Sequence, residues 1–407
     1  MEAWRLFRSL NRTQRATFIA CFLGWALDAF DFFLLTFVVT PIAQEFGRTV
    51  ADVGWAIALT LMLRPVGALL FGLLGDRFGR RLPLMIDIIF YSVMELLTAF
   101  APNFTVLLIL RALYGIGMGG EWGLGASLAM ESLPVKARGL FSGILQQGYA
   151  FGYLLAAIVY WIVFPHFGWR GLFVAGAAPA LLVIFIRARV PESPVWKRPR
   201  QDFIAATFAT FRNALPLFVY AVLLMTAFNY MSHGTQDLYQ TFLEKQRGLA
   251  VNQKAVVGII YAIGAICGGT LFGHFSQRWG RRRAIIIAAV CGLLLIPVWV
   301  FPTKLMVLII GGYLMQFMVQ GAWGIVPVHL NELSPDALRG TFPGLVYQLG
   351  NFFAANAAVV EAKLAVIFRN PANRPDYAKA LGAFTACVFV ALIILASVGR
   401  EERGKEF

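Results

Sequence analysis

Charged side chains are scarce in this chain. They make up 14% of its 407 residues, whereas hydrophobic residues make up 59%. A soluble domain carries about 25% charged residues, so the deficit excludes a surface that faces water throughout. The apolar runs are close to the ~20 residues that a helix needs to cross a bilayer; examples are 16–40, 53–74, 82–101, 171–186, 284–301 and 380–398. Because they do not alternate apolar and polar residues, a membrane barrel is excluded. We predict an all-α membrane protein with twelve transmembrane helices.

Cysteine and histidine are also rare, with four of each. All four cysteines lie within predicted spans, so no disulfide framework is expected. The sequence shows no cluster with metal-ligand spacing, no nucleotide-binding loop and no nucleophile beside a base. We therefore expect no metal, no cofactor and no enzymatic activity. The run GIGMGG, Gly115 to Gly120, is interpreted as small residues that let two spans approach closely.

The basic residues are unevenly distributed. The net charge of +14 arises mainly in alternate loops, at Arg5, Arg8, Arg12, Arg15, Arg77, Arg80, Arg81, Lys136, Arg138, Arg187, Arg189, Lys197, Arg198, Arg200, Arg278, Arg281, Arg282 and Arg283. This pattern follows the positive-inside rule and predicts both termini in the cytoplasm, with the protein in the inner (cytoplasmic) membrane. A lipid bilayer rather than a nucleic acid is the expected partner of this charge, and we expect a monomer.

Two stretches of the chain resemble each other at an offset of 201 positions. One begins at Gly119 with GGEWGLGASLAMES and the other at Gln320 with QGAWGIVPVHLNEL. The repeat predicts two six-helix pseudo-repeats, 1–187 and 214–407, joined by a cytoplasmic linker, 188–213. Repeats of this kind are typical of transporters, whose substrate site lies between the halves near the bilayer midplane.

The loop after the second predicted span belongs to the stretch GLLGDRFGRR, Gly72 to Arg81. Its glycines permit a tight turn, and Asp76 can pair with nearby arginines or with a helix amino terminus. The stretch resembles the loop signature of the major facilitator superfamily, which implies that fold. Gln277 replaces the acid in the second copy. We interpret the following charged residues as gate or structural contacts: Asp76, Arg80, Arg111, Glu131, Arg138, Arg281, Glu332 and Arg339.

Polar and charged groups inside spans usually face a cavity and mark a pathway, because they are costly in hydrocarbon. By depth, the candidates are Asp28, Asp31, Arg64, Arg111, Glu121, Asn229, His233, Asp237, Gln348 and Asn351. Arg64 is the most informative candidate for the class of substrate. A guanidinium fits a carboxylate, and the surrounding stretch LMLRPVGALL contains no acid. A substrate anion could pair with Arg64, and Asp28 could do so in the empty state. The alternative for Arg111 is a structural ion pair with Asp28 or Asp31.

The seventh predicted span carries a dense polar stretch, NYMSHGTQDLYQT, from Asn229 to Thr241. It resembles N-x-x-[ST]-H-x-x-Q-D-x-x-x-T, the signature of Jen-type lactate/pyruvate:proton symporters in the sialate:proton symporter branch of the same superfamily. Thr235 stands where that family usually has Ser or Asp, and it keeps a hydroxyl. The chain shows no long terminal extensions, so we expect a compact prokaryotic member. The resemblance implies roles in substrate binding, specificity or proton coupling for Arg64, Asn229, His233, Gln236, Asp237, Gln348 and Asn351.

These observations predict a symporter that imports a short monocarboxylate, such as lactate or pyruvate, with a proton. The expected substrate ligands are Arg64, Asn229, Gln236, Gln348 and Asn351. The expected proton-coupling groups are Asp28, Asp31, Glu121, His233 and Asp237. The alternatives are a symporter of sialic acid or another organic acid, and a nutrient sensor built on a transporter scaffold.

Overall fold

The computed structural model describes residues 2–197, 203–369 and 373–407. Part of the predicted linker, including Arg198 and Arg200, lies outside the described residues. The helices before the linker are α1 (Glu2–Ser9), α2 (Arg12–Phe37), α3 (Val39–Glu45), α4 (Val50–Phe78), α5 (Arg81–Ala99), α6 (Phe104–Ser132), α7 (Val135–Gln146), α8 (Gly148–Ala175) and α9 (Ala180–Arg189). The linker contains α10 (Phe203–Asn213).

The second half begins at the helix that carries the Asn229 stretch. Its helices are α11 (Leu215–Gln236), α12 (Tyr239–Lys245), α13 (Val251–Trp279), α14 (Arg281–Val300), α15 (Leu305–Trp323), α16 (Val326–Leu333), α17 (Phe342–Ala354), α18 (Ala357–Ile367) and α19 (Tyr377–Val398). A short 3₁₀ helix, Asp336–Leu338, lies between α16 and α17.

Eleven helical segments of the described chain are long and apolar enough to cross a membrane. One of them, Val135–Arg189, has 55 residues and would extend roughly 80 Å as a straight helix. It cannot be straight, because Gly168 interrupts it with a φ of 62°. Since a bilayer core is about 30 Å thick, this segment makes two crossings. The predicted all-α fold with twelve transmembrane helices is confirmed.

Local sequence signals explain where the helices begin and end. Thr49 caps α4, accepting a hydrogen bond from the Asp52 backbone N–H, while the Asp52 carboxylate accepts one from the Thr49 N–H. Gly79 ends α4 with a φ of 92°, and its counterpart Gly280 ends α13 with a φ of 96°. Only glycine adopts such angles readily, so both sharp turns depend on the repeated glycine.

The internal repeat extends to the packing between helices. Gly67 in α4 lies against the Ile116 carbonyl of α6, and its counterpart Gly268 in α13 lies against the Phe317 carbonyl of α15. All four positions are related by the offset of 201. The same helix pair is therefore packed in the same register in each half.

The two halves meet at the end of the bundle that carries the loops 78–81, 133–135, 279–281 and 334–341, which we call the arginine-rich end. There, glycine backbones of α7 and α13 are in direct contact: Gly139 with Gly273, and Gly143 with Gly269. Gly123 of α6 lies against Gly344 of α17 in the same way. A substrate cavity between the halves is thus closed towards this end.

Candidate transport site at the centre of the bundle

Arg64 is positioned by close packing of α4 on α6. Gly115 and Gly119 of α6 lie directly against the Thr60 and Arg64 carbonyls of α4. The Thr60 hydroxyl donates to the Arg111 carbonyl at 3.0 Å. These contacts confirm that the GIGMGG run is a helix-packing surface, and they fix the depth at which the Arg64 side chain leaves α4.

The Arg64 guanidinium pairs with Asp28 of α2. Its Nη2 lies 3.4 Å from Asp28 Oδ2, and both side chains are buried. Arg64 Nε and Asp28 Oδ1 have no hydrogen-bond partner among the described residues. The distance between the two groups is therefore long, and each side chain keeps an unpartnered atom. Each member of the pair can thus bind a further ligand.

Three more carboxyl groups are buried around this pair. Asp31, Asp87 and Glu121 are at most 1% exposed. In the part of the chain that the structure describes, neither oxygen of any of them has a hydrogen-bond partner. Asp28 is an electrostatic neighbour of all three. Sequence reasoning missed Asp87, although a lone acid in the apolar run 82–101 is the signal that would have revealed it.

The partner of Arg111 is Glu95, which the structure places in direct contact with the Arg111 Nη2 atom. The same atom donates to the Thr98 hydroxyl at 3.0 Å. The expectation of a pair between Arg111 and Asp28 or Asp31 is therefore wrong in its partner. The reason is that Glu95 of α5 lies in direct contact with the guanidinium. Arg111 belongs to the interior of the first half and not to the gate.

The second half contributes polar groups from α11. Asn229 donates through Nδ2 to the Met225 carbonyl of its own helix at 2.8 Å. His233 Nδ1 lies 3.1 Å from Asp237 Oδ2, and both side chains are about one-third exposed. Gln236 donates to the Ser232 hydroxyl at 2.8 Å, which ties its amide to the same helix. α11 ends at Gln236 and α12 begins at Tyr239, so this polar stretch lies at a break in the seventh span.

α17 and α18 complete the second-half group. Asn351 Oδ1 lies 3.4 Å from His233 Nε2. Gln348 is 1% exposed, and neither its oxygen nor its nitrogen has a partner within the described residues. Glu361, which sequence reasoning also missed, is buried close to Gly234 with both oxygens unpartnered in the described structure. Unpaired polar groups in such positions are candidates for ligand contacts.

Aromatic rings from both halves meet between the two polar groups. Tyr347 stacks on Trp122 with a ring-centre distance of 4.4 Å. Trp25 stacks on Tyr149 at 5.5 Å, and its ring centre lies 6.4 Å from that of Tyr347. The rings therefore form a continuous aromatic contact between the two halves.

Asp76 makes the main contacts between the halves that the structure shows for a predicted gate residue at the arginine-rich end. Its Oδ1 accepts from the Gly340 backbone N–H at 2.7 Å, and its Oδ2 accepts from the Thr341 hydroxyl at 2.6 Å. Asp76 in the first half thus caps the start of α17 in the second half. It also lies 3.2 Å from Arg80. Both interactions expected for Asp76 are present.

The other predicted gate residues form ion pairs mainly within a half. Arg80 pairs with Glu131 at 3.0 Å, and the repeated pair Arg281–Glu332 has a distance of 2.9 Å. Burial acts to lower the pKa of Arg80, but Glu131 and Asp76 outweigh it and raise that pKa. Arg339 reaches Glu131 of the other half at 3.9 Å.

Hydroxyl groups and the chain after α19 add further links between the halves. Ser127 donates to the Arg339 carbonyl at 2.7 Å, and Ser142 donates to the Gly324 carbonyl at 2.8 Å. Arg138 donates to the Lys405 carbonyl at 2.7 Å. The gate is thus held by hydrogen bonds to backbone groups as well as by ion pairs.

The repeated halves, the buried central charges and the capped gate agree with a comparison of the sequence with protein families. Residues 21–359 match the model of the Major Facilitator Superfamily. This chain belongs to that superfamily. It is accordingly a multi-pass membrane transporter and not an enzyme.

Three relatives of this facilitator carry transporter names. The chain is 32% identical over 421 residues to a carboxylic acid transporter protein homolog of Saccharomyces cerevisiae, covering 95% of this chain and 68% of that one. It is 32% identical over 370 residues to a probable 4-methylmuconolactone transporter of Cupriavidus pinatubonensis, covering 88% and 85%. It is 27% identical over 356 residues to the sialic acid transporter NanX of Escherichia coli, covering 86% of each.

The fold of this facilitator is also that of a solved structure. The proton:xylose symporter XylE superposes with a TM-score of 0.78, at 20% identity and 97% coverage of each chain. At this identity the likeness supports the fold alone.

Proposed function

We propose that this facilitator imports a short monocarboxylate, such as lactate or pyruvate, together with a proton. The observation that carries the proposal is the buried Arg64–Asp28 pair, long at 3.4 Å and with unpartnered atoms on both sides within the described residues. A carboxylate can replace Asp28 on the guanidinium with bidentate geometry. Asp28 then loses its cation, and a buried carboxyl without one is far less costly when it is protonated. Substrate binding and proton binding are thereby linked.

The remaining polar groups hold the substrate and pass on the proton. Gln348 offers an unpartnered amide, Asn351 lies on the same helix, α17, and Asn229 lies on α11, which packs against it. The His233/Asp237 pair is a proton-exchange group on the side away from the arginine-rich end. Alternating access rocks the halves about this site, and the transition breaks the Asp76 cap. We place the arginine-rich end in the cytoplasm, and the protein as a monomer in the inner membrane.

Two kinds of observation support this substrate class. The stretch from Asn229 to Thr241 resembles the Jen-type signature, and one relative is named as a carboxylic acid transporter homolog. Transport of an organic acid is the broader form of the proposal. Sialic acid is the second candidate, because it also carries a carboxylate and another relative is named as its transporter.

The test is uptake of radiolabelled lactate into proteoliposomes, with and without an inward proton gradient. We expect the gradient to drive accumulation, and pyruvate to compete with lactate. A thermal-shift series with lactate, pyruvate and sialic acid separates the two candidates. Uptake that is independent of the gradient contradicts symport, and ligand binding without any uptake supports a sensor.

Two variants test the assignment of the central pair. Arg64→Ala should abolish uptake, because no other guanidinium contacts Asp28 in the described structure. Asp28→Asn should abolish gradient-driven accumulation and retain lactate exchange, because a fixed neutral amide imitates the protonated carboxyl. Arg48→Ala, at an exposed arginine outside the spans, is the control that should transport normally. Normal accumulation by either central variant would remove that residue from the mechanism.

A further inference from the structure

A cleft lies at the arginine-rich end of the second half, between the end of α13, the start of α14 and the chain after α19. Its volume is about 810 Å³. It is remote from the aromatic rings of the transport site and belongs to the outer surface of the bundle. Four arginines, two isoleucines and a tryptophan line it together with one glycine and one acid: Arg278, Trp279, Gly280, Arg282, Arg283, Ile286, Ile287, Glu401 and Arg403.

The charge of this cleft is strongly positive. The carboxylate of Glu401 is already engaged, because it accepts the Arg281 and Arg282 backbone N–H groups at 3.1 and 3.0 Å. Arg403 donates to the Arg278 carbonyl at 2.6 Å, which holds its side chain beside the cleft. The Arg283 side chain is exposed and has no partner within the described residues. Arg282, Arg283 and Arg403 thus place three guanidiniums beside the single acid that lines the cleft, which favours an anionic ligand.

The wall on the membrane side is apolar. Trp279 is 42% exposed and Ile287 is 40% exposed. Trp279 stacks on Phe275 with a ring-centre distance of 4.9 Å, which fixes the indole at the rim. Exposed apolar side chains at the end of a transmembrane helix face lipid, and tryptophan favours the level of the headgroups. The ligand therefore has a charged part in the cleft and an apolar part along the helix surface.

The first half repeats this arrangement only in part. Glu192 accepts the Arg80 and Arg81 backbone N–H groups at 2.7 and 3.2 Å, as Glu401 does for its two arginines. At the offset of 201, Leu82 stands in place of Arg283. Arg77, the counterpart of Arg278, lies with its guanidinium carbon 5.8 Å from the centre of the Phe203 ring of α10. An open cleft of about 940 Å³ lies there too, but α10 gives it a mainly apolar lining and it holds two arginines, Arg77 and Arg212. Arg283 is therefore the basic residue that distinguishes the cleft of the second half.

We propose that this cleft binds the headgroup of an anionic phospholipid. The phosphate lies against the Arg283 guanidinium, since guanidinium groups bind phosphate oxygens. Arg282 adds its Nη1 group, because its Nε and Nη2 already donate to the Ala396 and Ser397 carbonyls. An acyl chain follows Trp279 and Ile287 into the bilayer. Basic pockets at the cytoplasmic end of transmembrane helices recognise anionic lipid headgroups in this way. The bound lipid ties α13 and α14 to the chain after α19, next to the residues that hold the gate.

The experiment is native mass spectrometry of the full chain in neutral detergent, titrated with phosphatidylglycerol, phosphatidylethanolamine or inorganic phosphate. We expect phosphatidylglycerol to bind at least about tenfold more tightly than the other two, because a charged hydrogen-bond pair and an acyl contact act together. Arg283→Leu, which copies the first-half residue, should weaken phosphatidylglycerol binding by about tenfold. Arg189→Leu makes the same change at an exposed arginine of the same end and should alter binding less than about twofold.

Each other outcome has a defined meaning. Equal binding of phosphatidylglycerol to the unchanged chain and to Arg283→Leu would overturn the site. An equal loss in Arg189→Leu would also overturn it, since the effect would then follow total charge. Inorganic phosphate that binds as tightly as the lipid would overturn the lipid assignment. The milder variant Arg283→Gln and the lipid-induced rise in melting temperature provide a second measurement.

Discussion

At the scale of single residues, two buried glutamines of the second half differ in their hydrogen bonds. Gln316 donates to the Thr235 hydroxyl at 3.1 Å. Gln348 has an unpartnered amide within the described chain, although both side chains are 1% exposed. A buried amide without a partner costs stability, whereas a bonded one contributes about 1 kcal/mol. The folded protein gains nothing from the amide of Gln348, which is what a substrate ligand requires.

Gln348→Leu should therefore impair transport without destabilising the protein. We expect the KM for lactate to rise about tenfold, because one hydrogen bond worth roughly 1.4 kcal/mol is lost. The melting temperature should stay the same or rise. Uptake kinetics and thermal unfolding in detergent measure the two effects. Gln316→Leu is the matched control, and it should lower stability by about 1 kcal/mol. A drop in stability for Gln348→Leu would identify that amide as structural.

Residue-level prediction succeeded where depth alone was informative. Arg64 and Asp28 were placed at mid-depth by counting from the span ends, and they do pair. The partner of Arg111 could not be predicted from the sequence, because the contact with Glu95 depends on how α5 packs on α6. Asp87 stands alone in an apolar run, where no neighbouring polar residue distinguishes it, and the nearby Lys363 suggests a surface position for Glu361.

At the scale of helices, contact between α4 and α6 leaves no room for side chains. Gly67→Ala would drive a methyl group into the Ile116 carbonyl, a backbone group that cannot move aside. Gly54 lies in the same helix, and a methyl group there would meet open space. We expect Gly67→Ala to cost about 1–3 kcal/mol or more. Gly54→Ala should be neutral or stabilising by up to about 1 kcal/mol. The melting temperatures of the two variants measure this difference in stability. Equal values would contradict the close packing of α4 on α6.

Asp76 and Gln277 occupy equivalent positions in the repeat, but their side chains bond to different halves. Asp76 caps α17 across the interface, whereas Gln277 accepts from Arg281 of its own half at 2.8 Å. Asp76→Ala should destabilise the closed gate by about 1–3 kcal/mol, because a charged cap is lost. Nitroxide labels at Lys136 and Ala337 should then report longer distances by double electron–electron resonance. Gln277→Ala should leave the distances unchanged, and a shift of equal size there would refute the special role of Asp76.

The existence of the helices followed from composition, and their interruptions did not. The break between α11 and α12 falls after Gln236, within the stretch that the sequence predicts as one continuous seventh span. Hydropathy averages over about 20 residues, so a local break leaves no trace in it. The turn at Gly168, by contrast, falls directly before the apolar run 171–186, so composition does indicate the boundary between the fifth and sixth crossings.

At the scale of the whole molecule, the repeat alone predicted the architecture. Identical residues at a fixed offset imply two similar halves, and the equivalent ion pairs Arg80–Glu131 and Arg281–Glu332 bear this out. The end at which the halves meet was not predictable. One sequence must serve every state of a transport cycle, and the states differ in free energy by only a few kcal/mol. The sequence must therefore be compatible with closure at either end of the bundle.

In the proposed mechanism, the Arg64–Asp28 pair sets how the carrier responds to membrane voltage. When the carrier is empty, one positive and one negative charge cancel at the midplane. When it is loaded, the substrate anion cancels Arg64 and the proton cancels Asp28. An elementary charge that crosses 100 mV changes its energy by about 2.3 kcal/mol, yet neither form of the carrier moves net charge. A potassium diffusion potential of either sign, set with valinomycin in proteoliposomes, should leave the initial lactate uptake rate unchanged at constant pH gradient. A rate that follows the potential would show that a second, uncompensated proton accompanies each substrate.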